Sequence, residues 1–222
     1  MRKLILFALI NLFLFSSLTI GSTIKKGKDL EESSRTILGI IVGKHSLYDV
    51  QKKLGNTEIW EDGDAALAES KLCYLFKVET GEIVVFFASN SEMAGPSLEI
   101  TDTRLYFSNS TDQNNKRCTV NNLSFRRSMA TPSGIQLGIS KEDLALILGS
   151  PEKSTDPNIL FYNYMIDVPI PKNDKNYSSW ADKLESCFEG KQPYYSIGSS
   201  VVAYFEKNRL IKLEIGRMES IC

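Results

Sequence analysis

The 222-residue sequence contains a single histidine, His45, and no cysteine pair with the CxxC spacing of metal sites. One histidine leaves little room for Ser-His or Cys-His catalysis and excludes a histidine-rich metal site. The 26 Lys and Arg residues are balanced by 27 Asp and Glu, so the chain has no excess positive charge to neutralise nucleic-acid phosphates. The composition therefore argues against nucleic-acid binding and against the commonest forms of catalysis.

Sequence motifs of enzymes are absent as well. There is no Gly-x-Ser-x-Gly elbow, no His-Glu-x-x-His pair and no phosphate-binding glycine loop. The acidic run Glu61–Asp64 lacks the ligand ladder of an EF-hand and is interpreted as a solvated turn. His45 directly precedes a predicted helix and is interpreted as an exposed loop residue. We therefore predict no catalytic residue, no metal and no cofactor.

Residues 1–21 have the three-part order of a secretory signal peptide: a basic start at Arg2-Lys3, an apolar run over Leu4–Phe15 and a small-residue exit. A membrane anchor is the alternative, because Leu4–Ile20 is close to the shortest stretch that spans a bilayer. Asn11 inside this stretch and the small residues after it favour cleavage. We therefore predict an exported protein, periplasmic or secreted, with no stable membrane span after cleavage.

Four cysteines follow this segment: Cys73, Cys118, Cys187 and Cys222. An even number in an exported chain indicates two disulfides, because the compartment is oxidising. Three pairings are open from the sequence. Proximity and the two-part organisation described next favour Cys73–Cys118 together with Cys187–Cys222. A zinc site is the alternative, and the absence of a CxxC pair disfavours it.

Two segments of the chain, 39–55 and 134–149, resemble each other. Each has a glycine-bounded apolar stretch, then a serine, an aspartate three residues later and a final Leu-Gly. The matching pairs are Ser46 and Ser140, Asp49 and Asp143, Val50 and Leu144, Leu54 and Leu148, and Gly55 and Gly149. We infer two tandem repeats.

Each repeat predicts a short amphipathic helix. The serine hydroxyl accepts a hydrogen bond from a free amide of the first turn, and the aspartate lies near the positive end of the helix dipole. Leu47, Val50 and Leu54 share one face of the first helix. Gly55 and Gly149 provide the left-handed conformation that ends each helix.

Strand patterns follow both predicted helices, as apolar or alternating runs bounded by turn residues. The predicted strands are Leu72–Val78, Glu82–Phe87, Leu98–Phe107, Ile159–Tyr164, Val201–Glu206 and Arg209–Ile215. A further short run, Asp64–Ala68, is a candidate second helix of the first repeat. The fold class is therefore α+β: two tandem repeats, each a short helix or helix pair packed on an antiparallel β-sheet.

The last two predicted strands form a hairpin about Lys207-Asn208. A turn of two loop residues would place one alternating set of side chains on the core side. That set is Val202, Tyr204, Ile211, Leu213 and Ile215.

The predicted boundaries follow from these elements. Residues 22–35 form a polar leader with little fixed structure, and 36–108 form the first repeat. An Asn- and Ser-rich linker or edge segment covers 109–130. The second repeat covers 131–222 and contains an insertion at 165–200, a length that in a compact unit is more often functional than idle.

The order of glycine, serine, helix ending in Leu-Gly, strand and hairpin resembles a known repeat. Its residues are Val42-Gly43, Ser46 and Leu54-Gly55 in the first copy and Leu137–Pro151 in the second. They resemble the repeat of the β-lactamase inhibitor protein and of the outer-membrane assembly lipoprotein SmpA/OmlA. The resemblance covers most of 36–222 and implies helices on one face of an antiparallel sheet, with the sheets of two copies side by side. The lipidated cysteine of the assembly lipoprotein has no counterpart here.

Aromatic residues on the predicted strands and in the insertion provide the candidate binding surface. Both faces of the strand at Ile83–Phe87 are apolar, so the second face must be covered by the other repeat, the insertion or a partner. Large aromatic side chains give contact area at low entropic cost. The candidate binding residues are Tyr177, Trp180, Tyr194, Tyr195 and Phe205.

These observations predict an exported, non-catalytic protein-binding module of the inhibitor, immunity or envelope-assembly type. It would present a sheet face and the 165–200 insertion to another protein, whose identity the sequence does not specify. The alternative is an envelope enzyme that acts on cell-wall or carbohydrate material through paired carboxylates. No pair of acids stands out in the sequence to support it.

Overall fold

The computed structural model describes residues 25–64, 68–79, 81–90, 99–108, 113–121, 129–171 and 194–221. The predicted signal peptide, the middle of the candidate helix at 64–68, and Tyr177, Trp180, Cys187 and Cys222 lie outside these residues. Among the helices of the described part, none combines the length and the hydropathy needed to cross a bilayer.

The described residues form eleven strands, two α-helices and two short 3₁₀ turns at Glu32–Ser34 and Gln113–Arg117. In chain order the strands and helices are β1 Lys25–Lys26, β2 Thr36–Ile37, β3 Ile40–Ile41, α1 Leu47–Leu54, β4 Trp60–Asp62, β5 Glu69–Val78, β6 Gly81–Asn90, β7 Asp102–Phe107, β8 Thr119–Asn121, α2 Lys141–Leu148, β9 Ile159–Pro169, β10 Tyr194–Glu206 and β11 Arg209–Ile221.

One sheet dominates the molecule. Its strand order is β1-β9-β10-β11-β7-β6-β5-β4, and β8 pairs with β5 beside β4. Strands β5, β6 and β7 form one antiparallel meander and β9, β10 and β11 form another. The two meanders join edge to edge where Leu105 of β7 pairs with Leu213 of β11. The fold is thus α+β, with a continuous, mainly antiparallel sheet and two short helices in the described residues.

Both predicted helices are confirmed, together with their ends. The amide of Asp49 donates to Ser46 Oγ at 3.2 Å, and the amide of Ser46 donates back to Asp49 Oδ2 at 2.8 Å, which completes a capping box. In α2 the amide of Asp143 donates to Ser140 Oγ at 3.1 Å. Gly149 follows α2 with a φ of +79°, a conformation that favours glycine.

The core lies between the two helices and one face of the sheet, which we call the inner face. Because side chains alternate along a strand, one row of paired residues across the two meanders points to this side. Leu47, Val50 and Leu144 of the helices belong to the same buried cluster as that row. The row contains Tyr74, Val85, Leu105, Leu213 and Ala203.

The β10–β11 hairpin has the predicted two-residue turn, in which Lys207 and Asn208 have φ values of +48° and +61°. The predicted core side is confirmed for Leu213 and Ile215, which are buried, but is wrong for Val202, Tyr204 and the exposed Ile211. A bulge pairs Tyr204 with Lys212 but Phe205 with Leu210, which leaves Ile211 as the extra residue. The core side of β10 therefore carries Val201, Ala203 and Phe205, and Val202 and Tyr204 point the other way.

Two predicted irregular segments are more ordered than expected. In the polar leader, Lys25 and Lys26 pair in parallel with Tyr164 and Met165 of β9, and Leu30 is buried. In the predicted insertion, residues 165–169 and 194–200 simply continue β9 and β10. Only 172–193 of that insertion fall outside the described residues.

Candidate functional site

The sheet face opposite the helices, here called the outer face, carries the most distinctive surface of the described residues. Cross-strand pairing brings its side chains together from six strands, β4, β5, β6, β7, β10 and β11. The outer face consists of Trp60, Lys71, Phe86, Asp102, Arg104, Tyr106, Val202, Tyr204, Lys212 and Glu214.

Three aromatic rings form a contiguous, half-buried group on the outer face. The Trp60 ring meets Phe86 edge to face, with ring centroids 6.1 Å apart. Phe86 in turn lies almost parallel to Tyr106, again with centroids 6.1 Å apart. These spacings are typical of favourable aromatic pairs. The rings thus hold one another in place and still present part of their surface to solvent.

Charged side chains surround the aromatic rings and are paired on the sheet itself. Lys71 Nζ lies 2.7 Å from Glu69, Arg104 Nε lies 3.1 Å from Asp102, and Lys212 Nζ lies 2.6 Å from Glu214. Lys212 Nζ also lies 4.6 Å from the centroid of the Tyr204 ring, within the range of a cation–π interaction. The outer face therefore combines aromatic surface with both signs of charge.

A groove of about 540 Å³ runs over the outer face. Its walls include Trp60, Lys71, Phe86, Arg104, Tyr106 and Lys212. Trp60, Tyr106 and Arg104 belong to the residue types most enriched at interface hot spots, and the acids Asp62 and Glu206 also line the groove.

Part of the outer face is covered by the segment 113–121, which lies within the predicted linker or edge segment 109–130. The Tyr106 hydroxyl hydrogen-bonds Asn115 Oδ1 at 3.0 Å, and the Arg117 guanidinium lies 5.7 Å from the Trp60 ring centroid. A disulfide joins Cys118 to Cys73 of β5, with Cα atoms 4.6 Å apart. This pairing is the one predicted, and it holds the segment against β5.

Asp102 is the most perturbed carboxyl group of the outer face. Its burial raises the pKa to about 6, and the neighbouring Glu214 and Glu69 add to this increase, whereas Arg104 opposes it. The pKa of Asp62 is instead lowered by its hydrogen bond to Lys71. A carboxyl group that is partly protonated near pH 6 thus lies beside two other acids.

The predicted site residues do not form one surface. Tyr194 and Tyr195 begin β10 and are half-buried, but as consecutive strand residues they point to opposite faces. Phe205 is only 5% exposed and packs in the core beneath Lys141. The outer face described above therefore excludes Phe205, and Tyr177 and Trp180 lie outside the described residues.

The chain matches no protein-family model, no curated protein and no solved structure. Function must therefore be inferred from the geometry of the described residues. Among these residues, no group of three or more His, Cys, Asp or Glu side chains is placed to hold a metal ion.

His45 has a structural partner. Its Nδ1 accepts a hydrogen bond from the backbone amide of Ile41 at 2.8 Å. This contact closes the turn before α1, and it requires the Nδ1 atom to be unprotonated.

Sequence reasoning missed Trp60, Arg104 and Lys212 as parts of a surface. Trp60 lies in a three-residue strand, which is too short to show a periodic pattern. Arg104 and Lys212 lie on strands 108 positions apart in sequence that become neighbours only through the β7·β11 pairing. One pattern in the sequence could have indicated the outer face. Because side chains alternate along β6, Phe86 must point to the side opposite Val85 and Phe87, which are in the core.

Proposed function

We propose that this protein is an exported protein-binding module without catalytic activity, which presents the outer face of its sheet to a partner protein. The observation that carries this proposal is the contiguous aromatic group Trp60–Phe86–Tyr106, half-exposed and bordered by Arg104 and Lys212. Trp, Tyr and Arg are the residues most enriched at interface hot spots.

The charge pattern indicates the kind of surface that would fit. The cations of the outer face already have acidic neighbours on the sheet, so a partner need not supply a large opposite charge. A partner with its own mixture of charges and an apolar protrusion would fit the groove, because the rings can bury area there while the ion pairs remain at a hydrated rim. A protein surface meets these requirements better than a highly charged polymer does.

We further propose that the sheet arose from two tandem repeats of the kind found in the β-lactamase inhibitor protein and SmpA/OmlA. Two facts support this relation. Each meander is preceded by a helix with an N-terminal serine cap and a following glycine. The two meanders also lie side by side in one sheet. The Cys73–Cys118 disulfide supports export to an oxidising compartment.

The test is capture of the partner with two pairs of substitutions. One variant carries Tyr204→Ala and Ile211→Ala, which remove an aromatic and an aliphatic side chain beside the groove. The control carries Tyr48→Ala and Leu146→Ala, which remove the same two residue classes from the helix side, where they are 52% and 85% exposed.

Immobilised wild-type protein and both variants would be incubated with an extract of the source envelope or secretome. We expect the control to retain the captured protein and the groove variant to lose it, with circular dichroism confirming that both remain folded. Equal capture by all three proteins would show that the outer face is not the binding surface.

The alternative, an enzyme with paired carboxylates, has one observation in its favour. Asp102, whose pKa is raised to about 6, lies near Glu214 and Glu69, and a glycosidase needs two carboxyl groups, one of which has a raised pKa. Turnover of a cell-wall or polysaccharide substrate that disappears in both Asp102→Asn and Glu214→Gln would favour this function. The absence of turnover in the wild-type protein would leave binding as the function.

A further inference from the structure

A second groove lies where the two meanders join. It is at the end of the sheet where β11 extends beyond the first residue of β7. Strand β7 begins at Asp102, which pairs with Gly216, but β11 continues to Ile221. The amide of Arg217 donates to Thr101 O at 2.8 Å. Beyond Gly216, no strand of the described residues pairs with this side of β11.

Residues 99–101, which directly precede β7, leave the sheet because their backbone is bonded to another segment. Ile100 is hydrogen-bonded to the turn before α1 through both its backbone groups: Gly43 N donates to Ile100 O, and Ile100 N donates to His45 O, each at 2.8 Å. Residues 99–101 are therefore held toward the helices. Because backbone groups alternate along a strand, the N–H and C=O of Glu219 point to the same side as those of Arg217. That side is where β7 would have continued.

A groove of about 760 Å³ occupies this position. Ile100, Met165 and Met218 contribute its apolar lining. Met218 is 69% exposed, an unusual exposure for a long apolar side chain in a strand. Methionine side chains adapt to varied partners, which suits a surface that accepts peptide side chains.

The charges around this groove have one predominant sign. Glu69, Glu99, Asp102 and Glu219 line it. Glu69 is paired with Lys71 and Asp102 with Arg104, so the exposed carboxylates of Glu99 and Glu219 give the groove its acidic character. Arg217 is the one cation among the described lining residues, and it is already bound by Asp29, whose two carboxylate oxygens each lie 2.9 Å from Arg217 Nη1. A segment with basic side chains is therefore the complementary occupant.

We infer that this groove, here called the junction groove, binds an extended basic segment of a partner protein by strand addition to the edge of β11 at 218–221, beyond the Arg217 amide that already bonds to Thr101. The backbone of the segment would pair with β11, and its lysine or arginine side chains would meet Glu99 and Glu219. The junction groove is separate from the groove of the outer face, so this inference goes beyond the proposed function and does not depend on it.

The test uses a short fluorescent peptide of alternating lysine and valine, with an alternating glutamate and valine peptide as the charge control. Fluorescence anisotropy measures binding to the intact protein. We expect the basic peptide to bind and the acidic peptide not to bind.

Replacement of both Glu99 and Glu219 by lysine should weaken binding of the basic peptide at least about tenfold. Glu58→Lys with Glu82→Lys makes the same change of charge at exposed positions outside the groove and should leave the affinity nearly unchanged.

Two further measurements separate strand addition from general charge attraction. A basic peptide with every backbone amide methylated keeps its charge but has no N–H donor for the ladder on either edge, so it should not bind. Bound unmodified peptide should slow hydrogen exchange of the Glu219 amide. Equal binding of the methylated peptide, equal weakening by the two double variants, or no binding of the basic peptide would each overturn the inference. None of these outcomes depends on Tyr204 or Ile211, so failure here is distinguishable from failure of the outer-face proposal.

Discussion

Asp29 and Arg217 form an ion pair that ties the N-terminal leader to the last strand of the sheet. Arg217 Nη1 lies 2.9 Å from each carboxylate oxygen of Asp29, and Ser199 Oγ donates to the same carboxylate at 2.9 Å. The Arg217 side chain is only 8% exposed. It packs over Gly43, where a Cβ atom would overlap it. The segment that looked like a polar leader is thus an integral part of the fold.

Asp29→Ala should lower the free energy of unfolding by about 2–4 kcal/mol, because it leaves the buried Arg217 guanidinium without its counter-charge. Urea unfolding followed by circular dichroism measures this loss. Glu31→Ala, a substitution of an exposed acid in the same segment, should change stability by less than about 0.5 kcal/mol. Equal effects of the two substitutions would show that the ion pair does not anchor the leader.

Loss of the Cys73–Cys118 disulfide should be costly, because its sequence separation of 45 residues closes a long loop in the unfolded chain. The chain-entropy model gives about 4 kcal/mol for a loop of this length. Unfolding of the Cys73→Ala, Cys118→Ala double variant measures the loss. In addition, we predict that the exported wild-type protein, denatured without reductant, contains no free thiol. A count of two or four thiols would contradict the prediction of two disulfides.

Asp102 should make part of the stability depend on pH. Its pKa is raised from 3.8 to about 6 in the folded protein, so between these values the folded state binds more protons than the unfolded state. Stability contributed by the protonated group is therefore fully present below about pH 4 and is lost as pH rises through about 6. The total loss is at most about 3 kcal/mol, since a tenfold change in proton affinity is worth about 1.4 kcal/mol.

Asp102→Asn removes this titration and keeps an acceptor for Arg104. The difference in unfolding free energy between variant and wild type, measured by urea titration from pH 4 to pH 7, should therefore shift in favour of the variant as pH rises. A difference that is constant across this range would show that burial does not perturb the Asp102 carboxyl group.

The lone histidine should behave as a structural residue. His45→Ala removes the acceptor for the Ile41 amide and should cost about 1 kcal/mol of stability. His45→Asn offers a side-chain oxygen in its place and should recover part of that loss. Both variants should capture the partner protein as well as the wild type does. A variant that is fully stable but loses function would instead place His45 in a functional site.

Short sequence patterns were sufficient to predict those helices and turns whose ends are determined by a few neighbouring residues. Ser46 and Ser140 each bond to the aspartate three positions later, and Lys207-Asn208 adopts the left-handed angles of a two-residue hairpin. These features depend on neighbours in sequence, so residue type and spacing predict them. Among the three pairings open from the sequence, Cys73–Cys118 was favoured by proximity along the chain and by the two-part organisation, and the structure contains it.

Long-range pairing could not be predicted in the same way. The bulge at Ile211 changes which side of β10 faces the core, and no local pattern marks it. The joining of β7 to β11 places Arg104 beside Glu214, and this contact depends on the arrangement of both meanders. Lys25 and Lys26 show no strand signal and become an edge strand by pairing with Tyr164 and Met165 of β9, where Met165 O also accepts from the Gly27 amide at 2.8 Å.

Site-specific photocrosslinking tests the central proposal, that the outer face binds a partner protein, most directly. A benzoylphenylalanine residue would replace Tyr204 on the outer face and, in a separate protein, Tyr48 on the helix side, where the native side chain is 52% exposed. Irradiation in the native envelope or secretome should give one discrete protein adduct from position 204 and none from position 48. The same adducts from both positions, or an adduct from position 48 alone, would contradict the proposal.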